Sequence, residues 1–471
     1  MTEKILWGWL RVVCVSIVAI ELIGGILAQE SSQGLVVNGT GVEVAAALGD
    51  FSDQVAFTPR GDIHVVFSGH QQGEQRARLY YRKFSRSTKK WTTELEADER
   101  GSSFEYPSLS VQGGAVYISS LVVKRRGEHL VRFFRKQGEA GAWSHTDLKA
   151  GYSTRRPKLS SDGKDLLRLL FSSSPEPDSP ERLWIYESDD GGEHWEANVP
   201  PSGAGTRRAF DPILSCRGAG GCYLAWLTEG DAGTSVVVAG YDEKTRKWGT
   251  PAVVSEPGNL PPSEVQLAVF GNRVMVFWVS GSLKRRQIYM DCSSDRGQSW
   301  QGDQMLLDRR TKEFGWRVVQ CSDELWLIWR EAQGSSQRTR YSVWVRRITE
   351  GGDRILAPKE VMGGEEEFRD LKALCGGDGL MFAGLRANDF GSVPVLFEVG
   401  ARGSKVMATV ELGDGRLASR DMLTLGEGWR SPYVAFRKRR AGMPFLGGAL
   451  QGGDLVILEV DGGSGAFGGG G

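Results

Sequence analysis

The sequence lacks an excess of either charge, because its 471 residues contain 58 Lys and Arg against 58 Asp and Glu. This balance argues against a global field that would favour nucleic acid or an anionic membrane as a partner. Metal-site signatures are missing as well: no Cys-x-x-Cys or Cys/His spacing occurs, and the five histidines are scattered. We therefore expect no metal, no cofactor and no nucleic-acid partner.

Long apolar runs are absent beyond the amino terminus, where no segment has the roughly 18 uninterrupted apolar residues that span a bilayer. Residues 1–28 differ from the rest. Lys4 and Arg11 precede the apolar run 12–20, which continues past Glu21 through residues 22–27. This pattern predicts a cleaved signal peptide, with an uncleaved amino-terminal anchor as the alternative. We expect a secreted or periplasmic (extracellular) monomer without other membrane contact.

Five cysteines remain after residues 1–28, and an odd number leaves at least one of them free or intermolecular. Cys216 and Cys222 flank the turn Arg-Gly-Ala-Gly-Gly, across which they can pair in an exported protein. Cys216, Cys321 and Cys375 each fall near the end of a predicted inner strand. For those positions, a small buried side chain is the expected role.

Glycine and tryptophan are abundant, with 63 and 15 residues, and long helical patterns are few, which favours an all-β architecture. Two segments, residues 188–195 and 293–300, share the pattern Ser-x-Asp-x-Gly-x-x-Trp at identical offsets. In a tight turn, Ser and Asp accept backbone N–H groups, Gly supplies a positive φ, and Trp buries a large apolar surface. The matching positions are Ser188, Asp190, Gly192 and Trp195, and then Ser293, Asp295, Gly297 and Trp300.

The tryptophan of this pattern recurs even where the other positions have changed. Trp91, Trp143, Trp195, Trp248 and Trp300 are separated by 52, 52, 53 and 52 residues. Eight pairs of apolar strand-like runs accompany this period, and a third and a fourth strand complete each unit. Four strands per unit of about 50 residues are typical of a β-propeller. We therefore predict a propeller over residues 35–461 with seven or eight four-stranded blades.

The two ends of this region carry further expectations. The last repeat contains three predicted strands, and the strand-like segment 35–48 supplies a fourth that would close the ring and remove exposed sheet edges. Residues 462–471 are Gly-rich and are expected to form a flexible tail.

Arginine is concentrated just before the predicted innermost strands. Loops that lead into these strands converge on the central channel of a propeller, where ligand sites form. Guanidinium forks bind carboxylates bidentately, so a ring of them suits an acidic sugar or another carboxylate ligand. Solvated surface arginines are the alternative interpretation. The positions are Arg155, Arg156, Arg207, Arg208, Arg317, Arg369 and Arg430.

The two Ser-x-Asp-x-Gly-x-x-Trp segments resemble the Asp-box, or bacterial neuraminidase repeat, of the sialidase superfamily. The third repeat strengthens this resemblance, since residues 154–159 (Thr-Arg-Arg-Pro-Lys-Leu) are similar to the Phe-Arg-Ile-Pro-x-Leu segment of sialidases. An acidic loop at residues 176–181 follows, and then the first box. The Phe and Ile of the family segment are Thr154 and Arg156 here, and sialidases typically have six blades.

Carried over by order along the chain, the resemblance implies a site. Arg155, Arg317 and Arg369 (or Arg430) would bind the sialate carboxylate. Asp178 would be the general acid/base, with Glu176 and Glu181 as competing candidates. Tyr433, paired with Glu264, would be the nucleophile. Glu264 and Tyr433 match by order alone, and the boxes themselves are expected to be structural turns on the outer edge of the blades.

Two functions remain for such a protein. The resemblance implies an exo-glycosidase that hydrolyses terminal sialic acid or a related acidic sugar through a tyrosine intermediate. The alternative is a non-catalytic propeller that binds glycan or protein through its arginine-lined rim. The loops that lead into the predicted inner strands are short, which weighs against a deep enzyme pocket. The sequence leaves the choice between enzyme and binding protein undecided.

Overall fold

The computed structural model describes the strands of the predicted propeller and most of the turns between them. Residues 1–28, the predicted signal peptide, and 462–471, the predicted tail, lie outside the described residues, as does Arg430. The described ranges are 35–37, 42–44, 54–71, 74, 76–124, 127–161, 166–198, 207–216, 221–255, 260–282, 284–311, 314–321, 324–334, 339–349, 354–376, 379–388, 391–400, 403–408, 423–427, 432–438 and 454–459.

All secondary structure in these ranges is β-strand, as the sequence predicted. Accordingly, they contain no helix that is long and apolar enough to cross a membrane. The strands follow one another in antiparallel groups, which we number I to VIII in chain order. After β1 (Leu35–Val36), group I contains β2 (Val42–Val44), β3 (Val55–Phe57), β4 (Ile63–Gln71), β5 (Arg78–Ser85) and β6 (Lys90–Ala97).

Groups II and III share one strand of 19 residues, which passes from the outside of one group to the inside of the next. Group II contains β7 (Ser102–Gln112), β8 (Ala115–Lys124), β9 (His129–Lys136) and the first half of β10 (Trp143–Ser161). Group III contains the second half of β10, β11 (Leu167–Ser174), β12 (Arg182–Ser188) and β13 (Glu196–Ala197). Group IV contains β14 (Arg208–Cys216), β15 (Cys222–Gly230), β16 (Gly233–Asp242), β17 (Lys247–Trp248) and β18 (Ala252–Val253).

The remaining groups repeat this order. Group V contains β19 (Pro262–Phe270), β20 (Arg273–Ser282), β21 (Arg285–Ser293) and β22 (Gln304–Arg310). Group VI contains β23 (Phe314–Cys321), β24 (Glu324–Gly334), β25 (Thr339–Thr349), β26 (Arg354–Ile355) and β27 (Lys359–Gly364). Group VII contains β28 (Phe368–Gly376), β29 (Gly379–Asn388), β30 (Gly391–Gly400) and β31 (Gly403–Ala408). Group VIII contains β32 (Leu423–Glu427), β33 (Pro432–Lys438) and β34 (Asp454–Glu459).

The groups stack side by side around an axis. First strands contact first strands: β7 lies against β10, β14 against β19, β23 against β28, and β28 against β32. At the junction of the chain ends, β1 pairs with β34, with Leu35 opposite Ile457, so the amino-terminal segment adds the strand that group VIII lacks. The fold is a β-propeller. Because β10 joins two groups, the described strands form seven hydrogen-bonded sheets, and the range of seven or eight blades stays a prediction.

Hydrophobic cores fill the spaces between successive groups. Second strands are apolar and buried on both faces, as in β20, because each group lies between two neighbours. Phe277, Trp316 and Trp329 are almost fully buried between groups V and VI. Burying a side chain of this kind stabilises the fold by about 1.5–3 kcal/mol. Similar clusters join the other groups from I to VII.

Strand direction sets where the loops lie. Each group has four antiparallel layers, so every first strand runs in the same direction and begins at the same end of the ring. We call this end the upper rim, and the other end the lower rim. Second strands end at the upper rim and third strands begin there. A side chain near the start of a first strand therefore lies near the upper rim.

Two disulfides connect the inner strands. Cys216 and Cys222 pair across the hairpin of β14 and β15, which confirms the bond that the sequence suggested. The expectation that Cys321 and Cys375 are merely small buried side chains is wrong, because they form a second disulfide with a Cα–Cα distance of 5.4 Å. The reason is the neighbourhood of β23 and β28, whose ends meet although 54 residues separate the cysteines. Cys292 is buried and belongs to neither disulfide.

Candidate functional site at the upper rim

The first Ser-x-Asp-x-Gly-x-x-Trp segment, residues 188–195, is a hydrogen-bonded turn after β12. The Ser188 hydroxyl donates to Asp190 Oδ1 (2.8 Å) and accepts the N–H of Gly192 (2.8 Å). Asp190 Oδ1 also accepts the N–H of Glu193 (2.9 Å). Burial alone would raise the pKa of Asp190, but hydrogen bonds from His194, Ser188 and Glu193 lower it below the ordinary value.

The second segment, residues 293–300, forms the same turn after β21. The Ser293 hydroxyl donates to Asp295 Oδ1 (2.7 Å) and accepts the N–H of Gly297 (2.7 Å). The side chain and backbone of Ser299 and the hydroxyl of Ser293 lower the pKa of Asp295 to about 2. Both turns follow third strands and therefore lie at the lower rim. Their carboxylates are engaged in the turns, at the opposite end from the predicted ligand site.

Each turn also clamps its group to the preceding one. The Trp195 ring meets the Phe133 ring of group II edge to face, with 4.8 Å between centroids. Gly192 lies so close to Phe133 that an added Cβ would be 2.2 Å from Cε1 of the ring. Trp300 packs on the core between groups IV and V. Side chains that could hold a metal come together at the first turn, where Asp190, Glu193 and His194 are exposed, but Asp190 already accepts the hydrogen bonds of the turn.

Three of the sequence-predicted site residues lie at one level near the upper rim. Each borders a register shift in a first strand: Arg155 in β10, Glu264 in β19 and Arg369 in β28. The side chains of Arg155 and Arg369 lie outside what the structure describes. Asp178 is exposed in the hairpin turn between β11 and β12, which also lies at the upper rim.

Glu264 and Arg317 meet at a buried tryptophan. The indole Nε1 of Trp316 donates to Glu264 Oε2 (2.7 Å), and Arg317 Nη1 donates to the carbonyl oxygen of Trp316 (3.0 Å). Trp316 is only 1% exposed, so it holds the Glu264 carboxylate in place from below. The carboxylate itself is exposed. A carboxylate and a guanidinium thus lie together on neighbouring first strands.

Tyr433 is not at the start of a first strand, contrary to the expectation from the sequence. It is in β33, the second strand of group VIII, opposite Gly426 of β32. Second strands begin at the lower rim, so the backbone of Tyr433 lies at the end of the ring opposite Asp178. The misplacement arose because β32 is a short strand, Leu-Thr-Leu-Gly-Glu, that the repeat pattern did not mark.

The expected ring of arginine charge is partly neutralised. Arg208 donates to Glu181 Oε2 through Nε (3.0 Å) and Nη2 (2.7 Å), which removes Glu181 as an unengaged acid. Arg207 forms an ion pair with Asp231. Within the described ranges, Arg156 and Arg317 have no carboxylate partner, and Arg156 is exposed.

Three first strands carry an irregularity that sequence reasoning missed. In β7, β10 and β14 the register shifts by two residues, and the first residue of each bulge has a positive φ although it is not glycine. Prolines that recur at the strand starts were the available signal, but they were interpreted only as marks of where a strand begins. The three residues are Tyr106 (φ 46), Arg156 (φ 33) and Asp211 (φ 48).

Buried polar side chains hold the bulge of β10. The Thr154 N–H donates to His129 Nδ1 (3.0 Å), which can accept because burial lowers the pKa of His129 and keeps the imidazole neutral at neutral pH. The Thr154 and Ser173 hydroxyls are 2.8 Å apart, and the Ser173 hydroxyl donates to the Tyr152 carbonyl (2.8 Å). The backbone on both sides of Arg155 and Arg156 is therefore fixed by neighbouring strands.

Comparisons with known proteins give distant structural similarity only. No protein-family model matches the chain, and no curated protein matches it. The chain is similar to a polysaccharide lyase PL25 (ulvan lyase) bound to -[GlcA(1-4)Rha3S]-, with a TM-score of 0.49 and 11% identity over 79% of this chain and 97% of that one. It is also similar to the polysaccharide lyase Uly1 (TM-score 0.47, 9% identity, 88% and 91% covered). For the GH93 α-L-arabinofuranosidase of Fusarium graminearum with arabinobiose, the TM-score is 0.37 at 10% identity, with 91% and 97% covered. The fold assignment rests on the chain's own strand pairing and not on these similarities.

Proposed function

We propose that the chain binds a carboxylated saccharide at the upper rim. The observation that carries this proposal is the pair Arg156 and Arg317, two guanidinium groups near one rim without a carboxylate partner in the described ranges. A guanidinium group has five N–H donors in a planar fork that matches a carboxylate. Arg317 uses one hydrogen bond on a backbone carbonyl, which leaves further donors for a ligand.

Glu264 supports a sugar in particular. Its Oε2 atom is held by Trp316, and its exposed carboxylate is presented on the strand next to Arg317. A carboxylate accepts hydrogen bonds from sugar hydroxyls, whereas the neighbouring guanidinium binds an acidic substituent. An acidic sugar satisfies both groups, while a simple anion would be repelled by Glu264.

Hydrolysis of a terminal acidic sugar such as sialic acid is the second candidate. Glu264 and Asp178 favour it, since two carboxyl groups at one rim are the minimum that glycoside hydrolysis requires. The position of Tyr433 gives no support to a tyrosine nucleophile. We also propose export, because two disulfides are typical of proteins from oxidising compartments.

The test is a melting-temperature shift of the wild-type protein with N-acetylneuraminate, glucuronate and glucose, beside turnover of a fluorogenic sialoside. We expect both acids to raise the melting temperature and glucose to have no effect. Arg317→Gln should weaken acid binding by about tenfold or more, the value of one charge-assisted hydrogen bond. Arg60→Gln, which removes the same charge from an exposed turn at the lower rim, is the matched control.

Turnover decides between the two candidates. Hydrolysis that Glu264→Gln abolishes would favour the exo-glycosidase, and binding without turnover would favour the binding protein. If neither acid shifts the melting temperature and no sialoside is cleaved, the proposal is wrong.

A further inference from the structure

We infer that the acidic ligand is an oligosaccharide and that Tyr106, Arg156 and Asp211 contact it, each presented by the bulge of a consecutive first strand. This inference rests on the proposed function for the acidic character of the ligand. It adds the residues, the length of the ligand and the path that the ligand takes across groups II, III and IV.

The bulges share an unusual backbone. A residue before proline normally adopts an extended conformation, because the proline ring collides with the preceding residue in other regions. Tyr106, Arg156 and Asp211 instead have a positive φ, which is costly for residues with a Cβ atom. The other non-glycine residues with positive φ in the described ranges lie in turns, apart from Ser153 in β10 itself.

The repetition argues that the bulges present side chains. Glycine would adopt these angles without strain, yet the three positions hold a phenol, a guanidinium and a carboxylate. A bulge turns the side chain of its extra residue away from the regular alternation of the strand, and bulges are common beside functional sites. Arg156 and Asp211 are both exposed and have no charged partner in the described ranges.

The three side chains suit one ligand chemistry. The half-buried Tyr106 ring packs on the core between groups II and III, which leaves part of the ring to cover the apolar face of a sugar. Arg156 offers a fork for a carboxylate. Asp211 offers two acceptor oxygens for hydroxyl groups. A saccharide that alternates hydroxyls with carboxylates satisfies all three side chains.

Distance decides the length of the ligand. Neighbouring sheets pack about 10 Å apart, so Tyr106 and Asp211, two groups apart, are separated by about 20 Å. A single sugar ring does not cover this distance, whereas a short chain of sugars does. The surface is also fixed before binding, because the Ser108 hydroxyl accepts the N–H of Leu159 (3.3 Å) and so joins β7 to β10 beside their bulges. Fixing a binding surface in advance lowers the entropic cost of association.

The test compares variants by calorimetric titration with tri-galacturonate and by melting temperature. Asp211→Gly removes the carboxylate and the backbone strain together, so we expect at least a fivefold loss of affinity without a fall in melting temperature. Lys89→Gly is the matched control, because Lys89 is exposed with φ 53 in the hairpin between β5 and β6 at the lower rim. It should raise or preserve the melting temperature and leave the affinity unchanged.

Two further comparisons complete the test. Arg156→Gln should lose at least tenfold in affinity, while Arg60→Gln should lose none. Wild-type protein should bind galacturonate monomer at least tenfold more weakly than the trimer. If the wild type binds the trimer but Asp211→Gly and Arg156→Gln bind it equally well, or if monomer and trimer bind alike, this inference is overturned while the proposed function stands. If the wild type binds no acidic saccharide, both fall.

Discussion

The contact between Gly192 and Phe133 predicts a difference between two otherwise equivalent mutations. Gly192 and Gly297 occupy the same position of the two repeated turns, with φ of +87° and +82°. An added Cβ at Gly192 would be 2.2 Å from Phe133 Cε1 and 2.6 Å from Cζ, whereas one at Gly297 would be no closer than 3.7 Å to Tyr223. Gly192→Ala and Gly297→Ala therefore share the backbone penalty, but only the first creates a collision.

The size of the difference follows from that collision. A left-handed backbone costs a residue with a Cβ atom about 1–2 kcal/mol, and this term is common to both variants. Phe133 is 0% exposed and lies against Trp195, so its ring has no room to move away. Forcing extra volume into a filled core costs about 1–3 kcal/mol. We expect Gly192→Ala to lose about 2 kcal/mol more free energy of unfolding than Gly297→Ala.

Urea unfolding followed by tryptophan fluorescence measures both losses under one set of conditions. A second variant, Gly192→Ala with Phe133→Leu, should recover part of the loss, because the smaller side chain makes room for the methyl group. Equal losses for the two single variants would show that the first turn does not clamp group III to group II in the described way.

Two buried titratable groups give further predictions, of opposite sign. His64 is 5% exposed, and burial together with Lys83 lowers its pKa from 6.5 to about 4. The unfolded chain therefore takes up this proton first, and unfolding measured between pH 6.5 and 4 should show a loss of about 3 kcal/mol that His64→Gln lacks. Burial raises the pKa of Glu331, so its contribution is present in acid and is lost as the pH rises through that raised pKa. Glu331→Gln should then raise the melting temperature at pH 8 more than at pH 4, and an equal shift at both pH values would contradict this.

The fold was readable from the sequence because every unit repeats the same burial pattern. Trp195 and Trp300 pack on a neighbouring group in the same way, so their spacing reports the spacing of the groups. The closure of the ring was also predictable, since group VIII lacked one strand and residues 35–36 lacked a partner. Both inferences depend on local patterns that one chain repeats many times.

The details of the site were less accessible, because they depend on which strands become neighbours. Cys321 and Cys375 are one repeat apart, and nothing local indicates that β23 and β28 meet at their ends. The bulges were hidden for a related reason. Local propensity places a residue before proline in an extended conformation, and only the surrounding strands hold Arg156 and Asp211 in the left-handed one.

Binding of an acidic saccharide at the upper rim is tested most directly by a matched pair of ligands. Calorimetric titration of the wild-type protein with tri-galacturonate and with its fully methyl-esterified form changes only the charge of the ligand. Since Arg156 and Arg317 would each bind a carboxylate, the acid should bind and the ester should bind at least tenfold more weakly. An ester that binds as tightly as the acid, or an acid that does not bind at all, would contradict the assignment.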